Sequence, residues 1–437
     1  MRAVLFCSSY SCNLGSILPA FFTAGGPPAH LGFYQRRFIE AKQWIPYSAF
    51  AELIALAQCL PGPSSTQVAF ALGALRRGVP GGLLTGVCFQ HAGLILMSLA
   101  GIFGAKLSTS GDETTWLDAL TNGLSSGGIG LVIDASFNLV TKLCQTPLTQ
   151  VICALATSAA YLFTKPWLLP LLIVGGGIAT ALHDRFKNPA SDEGESNSNE
   201  QAGNDGDEGH PSVTRRLGLS PKAGAGIVVA WLVLLGGTVI ASSLVPYRKA
   251  PELHWASSFV RVGSFIFGGG FVAMPLLISE LEAGERNLVS NKEFLLGLSL
   301  VQSAPGPLFN LSAYLGAVIA QNQGRPVMLG IMICWTGLFL PGVLLIFAAL
   351  SFWSTFRRWQ LYRDALRGFN AGAAGLLCAA AVQLYHRVRG VSPFGRVTTF
   401  IVVLVFAAVR IMKVPAPAGI VAGGVAGLVA FAIQNAG

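Results

Sequence analysis

Gln58-Cys59-Leu60-Pro61-Gly62-Pro63 and Gln302-Ser303-Ala304-Pro305-Gly306-Pro307 are two copies of one stretch, and each lies inside an apolar run. Pro-Gly-Pro removes two backbone donors and stops a regular helix, so the neighbouring amides and carbonyls lose their intrahelical partners. In a bilayer, irregular backbone of this kind is tolerated only where it is buried in protein or lines a polar cavity. The fold has to accommodate such a break twice.

The surroundings establish the solvent. Of 437 residues, 52% are apolar and only 11% are charged, with a mean hydropathy of +0.59, against roughly 25% charged in an average soluble protein. That composition excludes a water-soluble enzyme, which could not cover its own surface. Apolar runs at residues 14–24, 82–104, 119–140, 148–163, 167–182 and 223–245 mostly have the length that a hydrocarbon core of about 30 Å requires. Residues 48–75 form a further run, interrupted by Pro61-Gly62-Pro63. The short, Ser- and Cys-rich start of the chain is not read as a cleaved signal.

Superposing the two copies gives an offset of 244 residues, which also pairs Phe21 with Phe265, Gly25-Gly26 with Gly269-Gly270, Phe50 with Phe294, Gly86 with Gly330 and Gly93 with Gly337. One or two residues of drift bring Asp118 onto Asp364, Gly130 onto Gly375 and Pro147 onto Pro393. The chain therefore reads as a diverged duplication, with halves at residues 1–183 and 223–437. Between them, residues 184–222 are rich in Asp, Glu, Asn, Ser and Gly and read as a disordered acidic tether. The run at 223–245 has no counterpart in the first half.

Charge adds orientation. The net charge of +9 hides an acidic block from Asp184 to Glu208 with eight of the 20 acids, leaving 27 bases against 12 acids elsewhere. Those bases sit between apolar runs, which points to bilayer topology and away from nucleic acid. Corresponding loops carry opposite bias: Arg36, Arg37 and Lys42 answer to Glu280, Glu282 and Glu285, and the acidic Asp112-Glu113 loop answers to Arg357, Arg358 and Arg363. By the positive-inside tendency the halves are inverted, and the unmatched run supplies the inversion. The expected fold is an all-α polytopic membrane protein of two homologous, inverted helical halves with broken or re-entrant helices. Whether the Pro-Gly-Pro segments are re-entrant hairpins or kinked spans stays open at this level.

Duplicated halves with matching broken helices are the signature of secondary transporters, whose half-helix N-termini face an anion near mid-membrane. Four breaks qualify: Gly25-Gly26-Pro27-Pro28, Pro61-Gly62-Pro63, Gly268-Gly269-Gly270 and Pro305-Gly306-Pro307. Free amides after them and the side chains of His30, Gln58, Ser64, Ser65, Gln67, Gln302, Ser303 and Asn310 are candidate donors to oxyanion oxygens, interhelical bonding being their alternative role. Arg261, nine residues before Gly270, either neutralises a dianion or snorkels to a headgroup. His91 is either a proton relay or, better, a satisfied histidine within the bundle. The substrate-binding set is thus Gly25, Gly26, Pro27, His30, Gln58, Pro61, Gly62, Pro63, Ser64, Arg261, Gly269, Gly270, Gln302, Pro305, Gly306 and Pro307. Eight scattered cysteines without a Cys-x-x-Cys spacing indicate neither disulfides nor a metal site. No cofactor or catalytic motif is legible, and no nucleotide-binding loop supports an ATP-driven pump.

The run Gly25-Gly26-Pro27-Pro28-Ala29-His30-Leu31-Gly32, followed by Phe38, Trp44-Ile45, Glu52-Leu53 and Gln58-x-x-Pro61-Gly62-Pro63, resembles the chromate ion transporter family in its long-chain, two-half form. The second copy resembles it through Phe267-Gly268-Gly269-Gly270 and Gln302-x-x-Pro305-Gly306-Pro307. Thr23-Ala24 departs from the Ser-Phe of the family pattern, as does the long acidic tether. The resemblance implies transport of chromate, an oxyanion shaped like sulfate, usually as export that confers chromate resistance. A plasma-membrane carrier is expected, with one half moving against the other, a coupling proton or anion, and room for homo-oligomerisation. Sulfate or another divalent oxyanion as substrate, and an uncoupled anion channel, are the alternatives.

Overall fold

The computed structural model describes residues 26–107, 116–163, 168–187, 219–266, 277, 280–281, 288–356, 360–392 and 395–436. Gly25, Gly269 and Gly270 lie outside the described residues. In chain order the helices are α1 (Gly26–Tyr34, continued by a π turn Gln35–Glu40), α2 (Tyr47–Cys59), α3 (Ser64–Leu107), α4 (Trp116–Leu143), α5 (Pro147–Leu162), α6 (Leu168–Lys187) and α7 (Pro221–Leu244). They continue with α8 (Pro251–Phe265), α9 (Asn291–Ser303), α10 (Leu311–Asn322, entered through a 3-10 turn Leu308–Asn310), α11 (Val327–Phe356), α12 (Gln360–Val391), α13 (Gly395–Arg410) and α14 (Ala416–Ala436). Non-helical backbone at Arg77 and Gly78 divides α3 into α3a (64–76) and α3b (79–107). Among the described residues, six helices are long and apolar enough to cross a membrane, at Ser64–Gly104, Asp118–Leu143, Pro221–Leu244, Val327–Trp353, Asp364–Gly390 and Ala416–Gln434. The polytopic all-α reading of the composition holds.

The duplication is visible in the element bounds. Helices α2 and α9 start and end 244 residues apart, α4 and α12 start 244 apart, and α5–α6 recur as α13–α14 at 248. The copies are also inverted. Helix α4 turns into α5 through Cys144–Thr146, a hairpin tight enough to make them antiparallel. Helix α5 then runs parallel to α12, with Cys153 against Gly375 and the Ala160 carbonyl 2.9 Å from Gln383 Nε2. The equivalent helices α4 and α12 are therefore antiparallel to each other, as an axis in the membrane plane requires.

The same approach decides the hairpin question. Asn322 Nδ2, at the end of α10, donates to the Leu288 carbonyl at 3.2 Å and to Glu293 Oε1 at 3.3 Å, while the Tyr314 hydroxyl donates to the Glu293 carbonyl at 3.0 Å. The base of α9 and the end of α10 thus meet on one membrane face, here called face I. Pro305-Gly306-Pro307 is the tip of a re-entrant hairpin. With 13 and 12 residues, its arms are about 20 Å long at 1.5 Å per residue, too short to cross. Helix α3b runs parallel to α10, with Gly93 beside Pro305 and the Gly101 carbonyl 2.9 Å from Gln321 Nε2, so it ends at face I and begins at face II. Helix α3a folds back against the start of α3b at face II, Gly73 meeting Gly81 and Phe70 meeting Gly86.

Two bodies result, and each draws on both halves. Helices α4, α5, α6, α12, α13 and α14 form a framework in which α4 packs on α13 and α14, and α12 on α5 and α6. Glycines allow the close crossings, Gly123 against Gly423 and Gly176 against Gly368, as small residues do where lipid gives no hydrophobic drive. The remaining helices form a hairpin core. There, Phe347, Leu350 and Trp353 of α11 complete the apolar cluster around Phe38, Phe50 and Phe70, and Met97 of α3b joins the cluster around Phe294 and Leu311. The halves interdigitate, and helices of both contribute to each body. Helix α7, unmatched in the first half, packs on α8 and α11 with its surface largely outward.

Candidate functional site

Each Pro-Gly-Pro tip is seated on the long helix of the opposite half. Gly62 lies against Gly342 of α11, and Gly306 lies against Gly93 of α3b. Their φ angles of 121° and 100° belong to backbone that L side chains rarely adopt, which is why glycine stands between the prolines. The Gly62 amide donates to the Ile266 carbonyl at 2.8 Å, joining the first tip to the end of α8, immediately before Phe267-Gly268-Gly269-Gly270.

Side chains lock both tips. Gln67 Nε2 donates to the Pro61 carbonyl at 2.7 Å and to the Gly342 carbonyl at 3.1 Å. Asn310 Nδ2 donates to the Gln90 carbonyl at 3.2 Å, and Asn310 Oδ1 accepts from Trp335 Nε1 at 3.0 Å. The interhelical role thus accounts for Asn310 and for one end of Gln67. Pro61, Gly62, Pro63, Ser64, Gly306 and Pro307 are buried, Pro305 and Gln58 half-buried.

Gln302, on the last turn of α9, is 7% exposed, and its Oε1 has no hydrogen-bond partner among the described residues. Its amide covers Gly128 of α4, where any side chain would overlap it. One turn earlier, Ser299 and Ser125 share a hydrogen bond of 2.5 Å across the same contact. Together they form a polar seam between the hairpin core and the framework. The sequence reading missed both serines, although Ser125-Ser126 interrupts an apolar run.

His30 is fully buried with its ring edge-on to Phe89 at 5.0 Å, and Tyr34 meets the same ring at 5.7 Å. The Phe89–Gly93 turn of α3b therefore separates α1 from the second tip. Gly26 and Pro27 occupy the first turn of α1, so the upstream break is a helix start, where proline's missing amide costs nothing. Arg261 pairs with Glu280 at 2.5 Å, balancing the charge that the sequence left unassigned. His91 is exposed on the face of α3b shared by Leu84, Val87 and Ile95, outside the bundle.

Two further clusters were not singled out from sequence. Asp134, inside α4, lies 3.6 Å from Arg410 and accepts from Asn138 at 2.9 Å, while the Arg410 guanidinium stacks 4.5 Å from the Phe137 ring. An acid within an apolar run was the available signal. Cys144, in the α4–α5 turn, and Cys153 of α5 share one buried apolar cluster, and burial pushes the Cys144 thiol up. No group of three metal-ligating side chains occurs among the described residues.

Inverted repeats, re-entrant hairpins and a buried polar seam define a multi-pass membrane protein built as transporters are. Sequence comparison names the kind: the family described as "Chromate transporter" matches residues 16–181 and again 253–428, and the chain belongs to it. A chromate transport protein of Pseudomonas aeruginosa is 25% identical over 82% of this chain and 77% of its own length. Another from Cupriavidus metallidurans is 22% identical over 83% and 79%. An uncharacterized transporter of Methanocaldococcus jannaschii is 20% identical over 84% and 82%. No solved structure matches the chain.

Proposed function

We propose that the chain is a secondary carrier of chromate that exports the oxyanion across the plasma membrane and holds it at the broken-helix tips. The observation that carries this reading is the pair of inverted hairpins, each tip buried against the opposite half. Half-helices that end inside the bilayer leave amides with partial positive charge where a dianion loses its water. Gln58 and Gln302 stand at the same point of the two hairpins and supply neutral donors there. Face II carries Arg76, Arg77, Arg185, Lys187 and Lys222 and is the cytoplasmic side by the positive-inside tendency. Both ends of the acidic tether, Lys187 and Pro221, then fall in the cytoplasm.

The test is chromate accumulation in cells expressing wild type, Gln58→Ala, Gln302→Ala or an empty vector. Wild type lowers accumulation and the two variants raise it toward the empty vector. Equal accumulation in all four strains removes the assignment. Competition by sulfate in vesicles separates a chromate carrier from a general carrier of divalent oxyanions, and an unsaturable flux counts against any carrier.

A further inference from the structure

The two tips are related by the repeat but are chemically unequal. At the offset of 244, Ser64-Ser65-Thr66-Gln67 of the first tip faces Leu308-Phe309-Asn310-Leu311 of the second. After Pro63 the chain enters α3a directly, and the first amides of a helix have no carbonyl one turn back. The first bond after the tip is Gln67 N–H to the Pro63 carbonyl at 2.9 Å, which leaves the amides of Ser64, Ser65 and Thr66 without a backbone acceptor among the described residues. The same turn carries three hydroxyls. Ser64, Ser65 and Thr66 are 6%, 2% and 0% exposed, and Thr66 Oγ1 and Gln67 Oε1 have no hydrogen-bond partner among the described residues. Buried polar groups are nearly always satisfied, so an unsatisfied hydroxyl beside free amides marks a place for a ligand.

After the second Pro-Gly-Pro, the one polar side chain at the corresponding positions, Asn310, is bonded into the structure. The 3-10 turn ties Asn310 N–H to the Pro307 carbonyl at 3.0 Å, and both ends of the Asn310 amide are bonded to α3b and α11. Leu308 and Phe309 replace the serines, and Phe309 packs on Phe339 at 5.9 Å between ring centres. The nearest hydroxyl, that of Ser312, is donated to the Phe309 carbonyl at 2.8 Å.

Resting on the carrier reading above, we infer that each chain binds one tetrahedral oxyanion dianion, at the N-terminus of α3a, and that Thr66 donates to it. The second tip keeps the amides of Leu308 and Phe309 free of backbone acceptors among the described residues but has no counterpart of the Ser64, Ser65 and Thr66 hydroxyls. One site then serves both faces of the membrane, and the pseudo-symmetry belongs to the moving scaffold and not to the ligand.

The experiment is equilibrium binding of radiolabelled chromate to the purified full chain in lipid nanodiscs, with Thr66→Val, Thr66→Ser and Leu308→Met. Valine keeps the shape of threonine and removes its donor. Wild type binds one equivalent per chain, Thr66→Val weakens binding about tenfold or more, as loss of a hydrogen bond to a charged group implies, and Thr66→Ser restores most of it. Leu308→Met stays within about twofold. Two equivalents per chain, or unchanged affinity in Thr66→Val, overturns the single-site inference and leaves the carrier reading standing. Absence of saturable chromate binding by wild type removes both.

Discussion

Replacing Gly62 by alanine tests whether the first tip is built as described. Its φ of 121° costs a non-glycine residue about 1–3 kcal/mol. The added methyl would stand 2.8 Å from Gly342 Cα and 3.0 Å from Gln67 Nε2, nearly 1 Å inside ordinary carbon contact, and a backbone neighbour cannot swing aside. Overpacking of that kind costs about 1–3 kcal/mol more, for a total of about 2–6 kcal/mol. Gly306→Ala carries a φ of 100° but meets nothing nearer than 3.4 Å, so only the backbone cost of about 1–3 kcal/mol applies. Gly236→Ala in α7 meets nothing within 4 Å and is neutral or slightly stabilising. Heat-induced unfolding in detergent should therefore rank Gly236→Ala, Gly306→Ala and Gly62→Ala in order of falling stability. Flux in vesicles should fall most for Gly62→Ala, whose bond to Ile266 shifts with the tip. A Gly62→Ala protein that unfolds with Gly236→Ala, or a Gly306→Ala protein that unfolds before it, refutes the reasoning.

Three other outcomes follow from the geometry. Gly128→Ala pushes the Gln302 amide off α4 without touching backbone; flux should fall several-fold with little change in stability, and unchanged flux would separate Gln302 from transport. In a cysteine-free background, Lys42→Cys and Arg77→Cys should react with a membrane-impermeant maleimide from one side and Arg325→Cys from the other; labelling of Lys42→Cys and Arg77→Cys from opposite sides excludes the first re-entrant hairpin. Asp134→Asn and Arg410→Gln each strand a partly buried charge and should destabilise by about 1–3 kcal/mol, less than the 3–5 kcal/mol of a fully buried pair. The double variant should recover part of that loss, and strict additivity would mean that the two residues do not interact.

The sequence made the span positions, the repeat and the inversion legible, because each is written in a property that neighbouring residues share. Runs at 82–104, 119–140 and 223–245 became α3b, α4 and α7 within a few residues, since hydrocarbon thickness dictates length. Loop charge gave the inversion because orientation responds to local bases. What stayed hidden depends on pairs distant in the chain. Nothing local to Gln67 says that its amide bonds Gly342, or that Arg261 finds Glu280. His91 was misplaced for a related reason: a histidine in an apolar run signals its helix but not its face. The hairpin became decidable only when Asn322 was seen beside Leu288, a contact that composition cannot encode.

For the carrier proposed above, the division into framework and hairpin core changes what alternating access would require. If the halves were separate bodies, motion would break contacts such as α4 with α14 and α12 with α6, which are glycine-lined and close. Those are the contacts a rigid body should keep. The contacts between the two bodies mix polar pairs, Ser125 on Ser299 and Gln302 over Gly128 where α9 crosses α4, with a buried apolar cluster in which Ile129 and Val132 of α4 and Leu376 of α12 join Phe294 and Leu298 of α9. The crossing of α9 and α4 lies beside the second tip, Gln302 standing three residues before Pro305. A shift of the hairpin core along this seam toward face I is, by the pseudo-two-fold, equivalent to a shift toward face II. For the carrier proposed above, the duplication would supply two related conformations of similar energy, and the proposed site at the first tip would be common to both.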